Sequence, residues 1–305
     1  MSGFHIRHCN PSQDRPGLHR LQESLSVRAR RENGNPAIFP IEWDGQTVPE
    51  QAWVASLPAD PDTIAGFAWC FRASGRRATL GVRVHPDFQR QGLGSSLLET
   101  VSAAAEEQEA AELVVYSKSE DKICQAFLKG SGFGLQGQAD VLQAPEGRTI
   151  PLPVFPAGYF LRKYSELQHL PTLASLVNRT FFDTPLNPAN DPKAISDELL
   201  QDQMESFPEL YPAEGLFLLL DSFGKAVGIV RTHQPGVIYS PGVVPEERVR
   251  NLREPLLLVA MAHLRAKGAR SCSLFCEGES SAQLSSYRSL GFSTARRFEV
   301  WQKSL

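Results

Sequence analysis

The chain has 305 residues, 42% of them hydrophobic and 21% charged. That composition excludes wholesale disorder, and about twice the usual domain length predicts two domains. Lys and Arg number 31 against 34 Asp and Glu, and a net charge of −3 gives no general drive toward nucleic acid or anionic lipid.

In chain order, no apolar run approaches the roughly 20 residues needed to cross a bilayer, and the first eight residues lack the apolar stretch of a signal peptide. The five cysteines form no Cys-x-x-Cys pair and read as reduced thiols, so a cytoplasmic protein is expected. His5 to His8 reads as an opening strand, followed by a helical region. Trp53 to Ser56, Ile64 to Arg72 and Thr79 to Val84 read as strands, the last stopped by Pro86, which removes a ladder donor. A long helix over Ser95 to Glu109 follows, then a strand over Leu113 to Ser117 and a short helix running into Gly132-Phe133. Gln143 to Pro153 holds three prolines and a glycine, which predicts a linker.

The same order then recurs. Phe160 to Lys163 is a strand, and Leu170, Leu173, Leu176 and Val177 mark a helix. Strands over Leu216 to Asp221 and Ala226 to Thr232 flank the hairpin turn Ser222-Phe223-Gly224-Lys225. A strand over Val237 to Val244, a helix over Glu254 to Ala266, a strand over Ser273 to Cys276 and a short helix before Gly291-Phe292 complete the series. Gly132 and Gly291, Pro86 and Pro245, and the pairs Leu97-Leu98 and Leu256-Leu257 all stand 159 residues apart (291 − 132). Ile64 to Trp69 resembles Ala226 to Arg231 at an offset of 162 (228 − 66), a drift that a shorter hairpin explains. The fold class is therefore α/β with one sheet per half, the domains spanning 1–145 and 159–305 around a linker at 146–158.

The most informative run is Val82-Arg83-Val84-His85-Pro86-Asp87-Phe88-Gln89-Arg90-Gln91-Gly92-Leu93-Gly94-Ser95. A strand ends, a polar loop carries two glycines, and an amphipathic helix starts at once. Residues Gln91 to Ser96 then aim successive N–H groups outward at the positive end of the helix dipole, a ready anion site. Glycine keeps side chains away from an approaching pyrophosphate, and Arg90 adds a fixed positive charge. A P-loop fails on spacing, because Leu97 and Leu98 stand where lysine and a hydroxyl are required. A dinucleotide fingerprint fails as well, since it needs three glycines and an acid about 20 residues further on.

Gln89 through Gly94 after Val82-x-Val84, with Gly132-Phe133 closing the later helix, resembles the GNAT N-acetyltransferase superfamily. The resemblance covers both halves, in a tandem layout like that of mycothiol synthase. It implies two tandem GNAT-type domains, each a mixed, mostly antiparallel sheet flanked by helices. It also implies acetyl-CoA, or another acyl-CoA, as donor on the first domain and an amine of a small molecule or peptide as acceptor. By the same resemblance Val82, Arg83, Val84, Gln89, Arg90, Gln91, Gly92, Leu93, Gly94 and Ser95 would hold the donor, with pyrophosphate on the loop and the pantetheine arm beside Val82 and Val84. No metal is expected, because the seven histidines make no ligand spacing.

The first half departs from the family pattern at its acid and base. Ala78 and Leu80 stand where a Glu or His is frequent, Leu128 where a Tyr often protonates the thiolate, and Asp121 where an Asn often bonds the pantetheine. Tyr116, Glu120 and a water chain to His85 remain as substitutes. In the second half Tyr287 does precede Gly291 by four, but Asn251 and Arg253 replace Gly92 and Gly94, and Pro255 follows. A degenerate second domain is expected, structural or shaping the acceptor cleft, with Arg248, Arg250 and Arg253 alternating with Glu246, Glu247 and Glu254. The resemblance puts the acceptor wall near Arg28, Arg30, Arg31, Glu32 and Trp43. Two functions stay open, an N-acyltransferase and a non-catalytic acyl-CoA-binding or regulatory protein.

Overall fold

The computed structural model of the chain describes residues 3–28, 48–49, 51–74, 76–181, 195–206, 211–212, 214–233 and 236–305. They form two compact units: unit 1 comprises Met1–Gln136 with Glu299–Leu305, and unit 2 comprises Gly137–Phe298.

Unit 1 begins with β1 (His5–His8), α1 (Pro11–Arg28), β2 (Ala52–Leu57), β3 (Asp60–Ser74) and β4 (Arg77–Val84), followed by a 3₁₀ turn at Pro86–Phe88. Then come α2 (Leu93–Glu107), β5 (Glu112–Lys118), α3 (Lys122–Gly130) and the start of β6 (Gly134–Gln143). Strands β1 to β4 pair antiparallel with their sequence neighbours, and β4 pairs parallel with β5. Unit 2 holds the rest of β6, then β7 (Phe160–Lys163), α4 (Tyr164–Leu167), α5 (Leu170–Phe181), α6 (Asp197–Ser206), β8 (Leu216–Leu220), β9 (Ala226–His233) and β10 (Val237–Val243). A 3₁₀ turn at Pro245–Arg250, α7 (Arg253–Ala266), β11 (Ser273–Glu277), α8 (Ser281–Ser289) and the start of β12 (Ser293–Ser304) complete it. Its sheet runs β6-β11-β10-β9-β8-β7, antiparallel except for the β10–β11 pair. Each unit thus has the mixed, mostly antiparallel sheet and flanking helices of the expected class.

The closing strands do not stay with their own halves of the sequence. Residues 139–143 of β6 pair antiparallel with β11 in unit 2. The last seven residues, Glu299–Leu305, complete unit 1, where β12 follows β5 in strand order and the Leu305 N–H donates to the Ala111 carbonyl at 2.9 Å.

The internal repeat has a packing counterpart. Leu93, Leu97, Val101 and Ala104 of α2 are buried at helical spacing on the sheet. A Cβ at Gly66 would lie 2.7 Å from Leu97, and one at Gly228 would lie 3.0 Å from Leu256. Glycine is what lets each helix lie close on its strand. Fully burying a leucine such as Leu97 stabilises the fold by about 1.5–3 kcal/mol. Gly66 pairs with Val84 and Gly228 with Val243, so the hairpin of unit 2 is three residues shorter (84 − 66 against 243 − 228), which accounts for the drift of the repeat. In unit 1, Arg7 grips Asp14 through two hydrogen bonds of 2.8 and 2.6 Å, fixing α1 to β1. Burial pushes the Asp14 carboxyl up, but Arg7 and the Asn10 N–H outweigh it and hold it below its usual value. Among the described residues no helix is long and apolar enough to cross a membrane.

Candidate functional site

In unit 1, β4 and β5 pair only through Arg77↔Glu112, Ala78↔Leu113 and Thr79↔Val114, although β4 continues to Val84 and β5 to Lys118. Beyond Thr79 the edge of β4 toward β5 is therefore open. The His85 N–H donates to the Ala65 carbonyl at 2.8 Å, so alternation turns the main-chain groups of Val82 and Val84 to that open edge. There the Arg83 guanidinium donates to the Val82 carbonyl at 2.9 Å, and the Gln89 amide to the Val84 carbonyl at 3.2 Å. Gln89 thereby ties the loop back to its strand.

The loop delivers a bare helix end. Arg90 has φ +64° and Gly92, the N-cap of α2, has φ +82°. That cap carries no side-chain acceptor, and no acid lies in the first turn, so the Leu93, Gly94 and Ser95 N–H groups end at an uncapped positive pole. A Cβ at Gly92 would meet nothing within 4 Å, and one at Gly94 nothing closer than 3.7 Å, its nearest contact being the Phe127 ring. Gly92 is required by its backbone conformation, whereas no contact within the chain demands glycine at 94. The cradle that a larger side chain would fill suits a phosphate-bearing group. Arg90 is exposed beside it, Gln91 donates to the Asp87 carbonyl at 3.2 Å, Ser95 is exposed, and Leu93 sends its side chain into the core.

Each candidate catalytic residue has its own surroundings. Ala78, Leu80 and Leu128 are all buried in the hydrophobic core of unit 1, which holds no proton-transfer group at those positions. Tyr116 is half-buried on β5, two residues past its last pair with β4. Glu120 is exposed in the turn before α3. The His85 Nδ1 accepts the Asp87 N–H at 3.3 Å, and its ring lies 5.5 Å from that of Phe88, so it caps the 3₁₀ turn. Asp121 is also taken structurally: its carboxylate accepts the Cys124 N–H at 2.9 Å and caps α3. Cys124 packs against the same core as Val82, Val84 and Phe127, and burial raises its thiol pKa against the opposing pull of Ser117 and Arg83. Arg30, Arg31, Glu32 and Trp43 lie outside the described residues, as does the side chain of Arg28.

Unit 2 repeats the frame. Pairing of β10 with β11 stops at Tyr239↔Phe275, and Asn251 adopts φ +54° where unit 1 has Gly92. Arg248 donates to the Val243 carbonyl at 3.1 Å, repeating the bond from Gln89 to Val84. The surface around the loop is otherwise self-satisfied. Arg248 also reaches the Thr180 carbonyl at 3.2 Å, the Tyr159 hydroxyl donates to Glu247 at 2.5 Å, and Arg250 pairs with Glu247 at 3.0 Å. Arg179 pairs with Glu246. Pro241, which the sequence reading overlooked, stands 159 residues after Val82 and removes the N–H that strand edge would offer. The repeat spacing alone was signal enough to find it. The ladder is irregular between Tyr239 and Gly242. Tyr287 is 2% exposed, and the Phe292 N–H donates to its carbonyl at 3.1 Å, as Phe133 does to Leu128 at 3.0 Å.

Residues 18–133 match the model of the acetyltransferase (GNAT) family. The mycothiol acetyltransferase of Saccharomonospora viridis is 28% identical over 224 residues, covering 69% of this chain and 69% of the relative. That of Thermobispora bispora is 28% identical over 245 residues, covering 76% and 78%. A GCN5-related N-acetyltransferase from Sphaerobacter thermophilus superposes with a TM-score of 0.70 at 18% identity, covering 100% of this chain and 96% of the other. A tandem GNAT protein from the clavulanic acid biosynthesis pathway does so with 0.65 at 15% identity, covering 99% and 98%. At these identities the two structures speak for the fold.

Proposed function

We propose that this chain, an acetyltransferase of the GNAT family, takes acetyl-CoA on unit 1 and moves its acetyl group to an amine of a small molecule or peptide. The observation that carries the reading is the uncapped start of α2 behind Gly92 and Gly94, next to the stretch of β4 around Val82 and Val84 that does not pair with β5. When bound, acetyl-CoA supplies an activated acyl thioester. The Leu93 to Ser95 N–H groups and Arg90 neutralise its pyrophosphate, and the edge of β4 pairs with its amide arm. An alkylamine is mostly protonated near neutral pH and must lose a proton before it attacks. Because Ala78, Leu80 and Leu128 are buried and apolar, that proton leaves to water, and as the new C–N bond forms and the C–S bond breaks, the departing CoA thiolate takes its proton from water too. Unit 2 is structural in this reading. Five unbridged cysteines fit the cytoplasmic location we assign.

The test is thiol release from acetyl-CoA with a panel of amines. The relatives' name makes the deacetylated form of mycothiol the first to try, followed by polyamines, amino acids, aminoglycosides and peptides. Turnover with any of them supports the reading. Tight acetyl-CoA binding with no acceptor turned over would favour a non-catalytic acyl-CoA-binding role, which the apolar Ala78, Leu80 and Leu128 already make the rival.

A further inference from the structure

Unit 2 contains a guanidinium whose N–H donors find no acceptor among the described residues. Arg231 on β9 pairs across the ladder with Tyr239 of β10. Its Cζ lies 4.7 Å from the ring centre of Tyr211 and 4.8 Å from that of Tyr239. Gly228, an odd number of residues earlier on the strand, meets Leu256 of α7, so Arg231 points to the opposite face. There Tyr211 is buried, and its hydroxyl donates to the Oε1 of the equally buried Gln203 of α6 at 3.2 Å, which fixes the ring.

Several other arginines of this unit are committed. Arg179 pairs with Glu246, Arg248 donates to the Val243 and Thr180 carbonyls, and Arg297 pairs with Asp140 at 2.8 Å. Arg231 is half-buried too, yet among the described residues no carboxylate, carbonyl or hydroxyl accepts a hydrogen bond from it. Contact with aromatic rings engages the flat faces of a guanidinium and leaves its N–H edges available in the plane. The rings also restrict the side chain beforehand, so a planar fork of donors is presented at low further entropic cost. Its geometry matches two oxygens of one oxyanion.

We propose that unit 2 binds a small ligand through a carboxylate or phosphate group held edge-on by Arg231, with Tyr211 and Tyr239 as its bed. This site is independent of acetyl-CoA on unit 1, and the test reads the two separately. The full-length chain, with arginine labelled at Nε, is titrated with inorganic phosphate and, in a second arm, with succinate, both at constant ionic strength. The Arg231 Nε–Hε signal, assigned from Arg231→Lys, should shift saturably with one of the two anions, which also names the oxyanion class. Measured by calorimetry, Arg231→Gln and Arg231→Lys should each weaken binding of that anion at least about tenfold, since one loses the charge and the other the fork. Acetyl-CoA affinity measured by calorimetry should stay unchanged in both variants. If Arg231→Gln fails to fold, Arg231→Lys, which keeps a cation over the rings, decides. A signal that moves with neither anion, or a folded variant that binds as tightly as wild type, overturns the proposal.

Discussion

The two strand-to-helix loops are built on one plan. Gln89 and Arg248, 159 residues apart, each tie their loop to the preceding strand, through the Val84 and Val243 carbonyls at 3.2 and 3.1 Å. Gly92 and Asn251 both sit in the left-handed region before the helix. From there the loops diverge. The first leaves a helix end with no cap and no acid, whereas the second surrounds its helix start with Glu246, Glu247 and Glu254, two of them already paired with arginines. Beside it, Pro241 has replaced a strand donor. The backbone shape of the loop is thus a folding requirement that both units keep. The bare, positive helix end is a separate property, and it survives only where glycine is kept without a structural need for it.

The largest expected effect breaks the first loop. We predict that Gly94→Val weakens acetyl-CoA binding at least about 100-fold, through loss of several charge-assisted bonds worth about 1.5–3 kcal/mol each. Because a Cβ there meets nothing closer than 3.7 Å, the melting temperature should change little. Calorimetry should give one acetyl-CoA per wild-type chain; two sites, or a Gly94→Val variant that binds normally, would remove the contrast between the loops.

A smaller effect concerns the positions of Leu128 and Tyr287. With no titrating side chain at Leu128, kcat/KM should climb with pH about tenfold per unit until the acceptor amine's own pKa is reached. Two acceptors of different basicity should give correspondingly displaced profiles. Tyr287→Phe should leave turnover within a few-fold and lower stability instead, as the residue is 2% exposed. A 100-fold loss of kcat with acetyl-CoA affinity intact would make that tyrosine part of the chemistry.

The smallest effect sharpens the comparison from the other side. Asn251→Gly keeps a left-handed backbone that both residues adopt and should shift stability by less than about 1 kcal/mol, read as a small change in melting temperature. It should not create a second acetyl-CoA site, because Pro241 and the carboxylates of Glu246 and Glu247 remain. A stoichiometry of two in this variant would mean that the loop glycine alone decides binding.

Much of this was legible in the sequence because it is local. The strand ends His5–His8 and Phe160–Lys163 fall where their side-chain patterns predict, and the glycine-bearing loop lies between a strand and an amphipathic helix. The departures at Ala78, Leu80 and Leu128 were legible too, since a residue that cannot titrate declares itself by type. His85 and Asp121 were not, because whether a polar side chain caps a turn or faces a ligand depends on where its neighbours' N–H groups point.

The sequence by itself determined the repeated order of elements, the glycine-bearing loop between strand and helix and its absence from the second half, because these rest on periodicity, spacing and residue type over short stretches. Only the tertiary structure decided which sheet each closing strand joins. Both β6 and β12 follow a Gly-Phe pair, and choosing a pairing edge is a long-range matter that local pattern does not encode. It also decided the fate of individual charges. Arg248 and Arg231 are equally arginine in the sequence, but one is absorbed by two carbonyls and the other is bedded on two rings with no acceptor for its donors among the described residues.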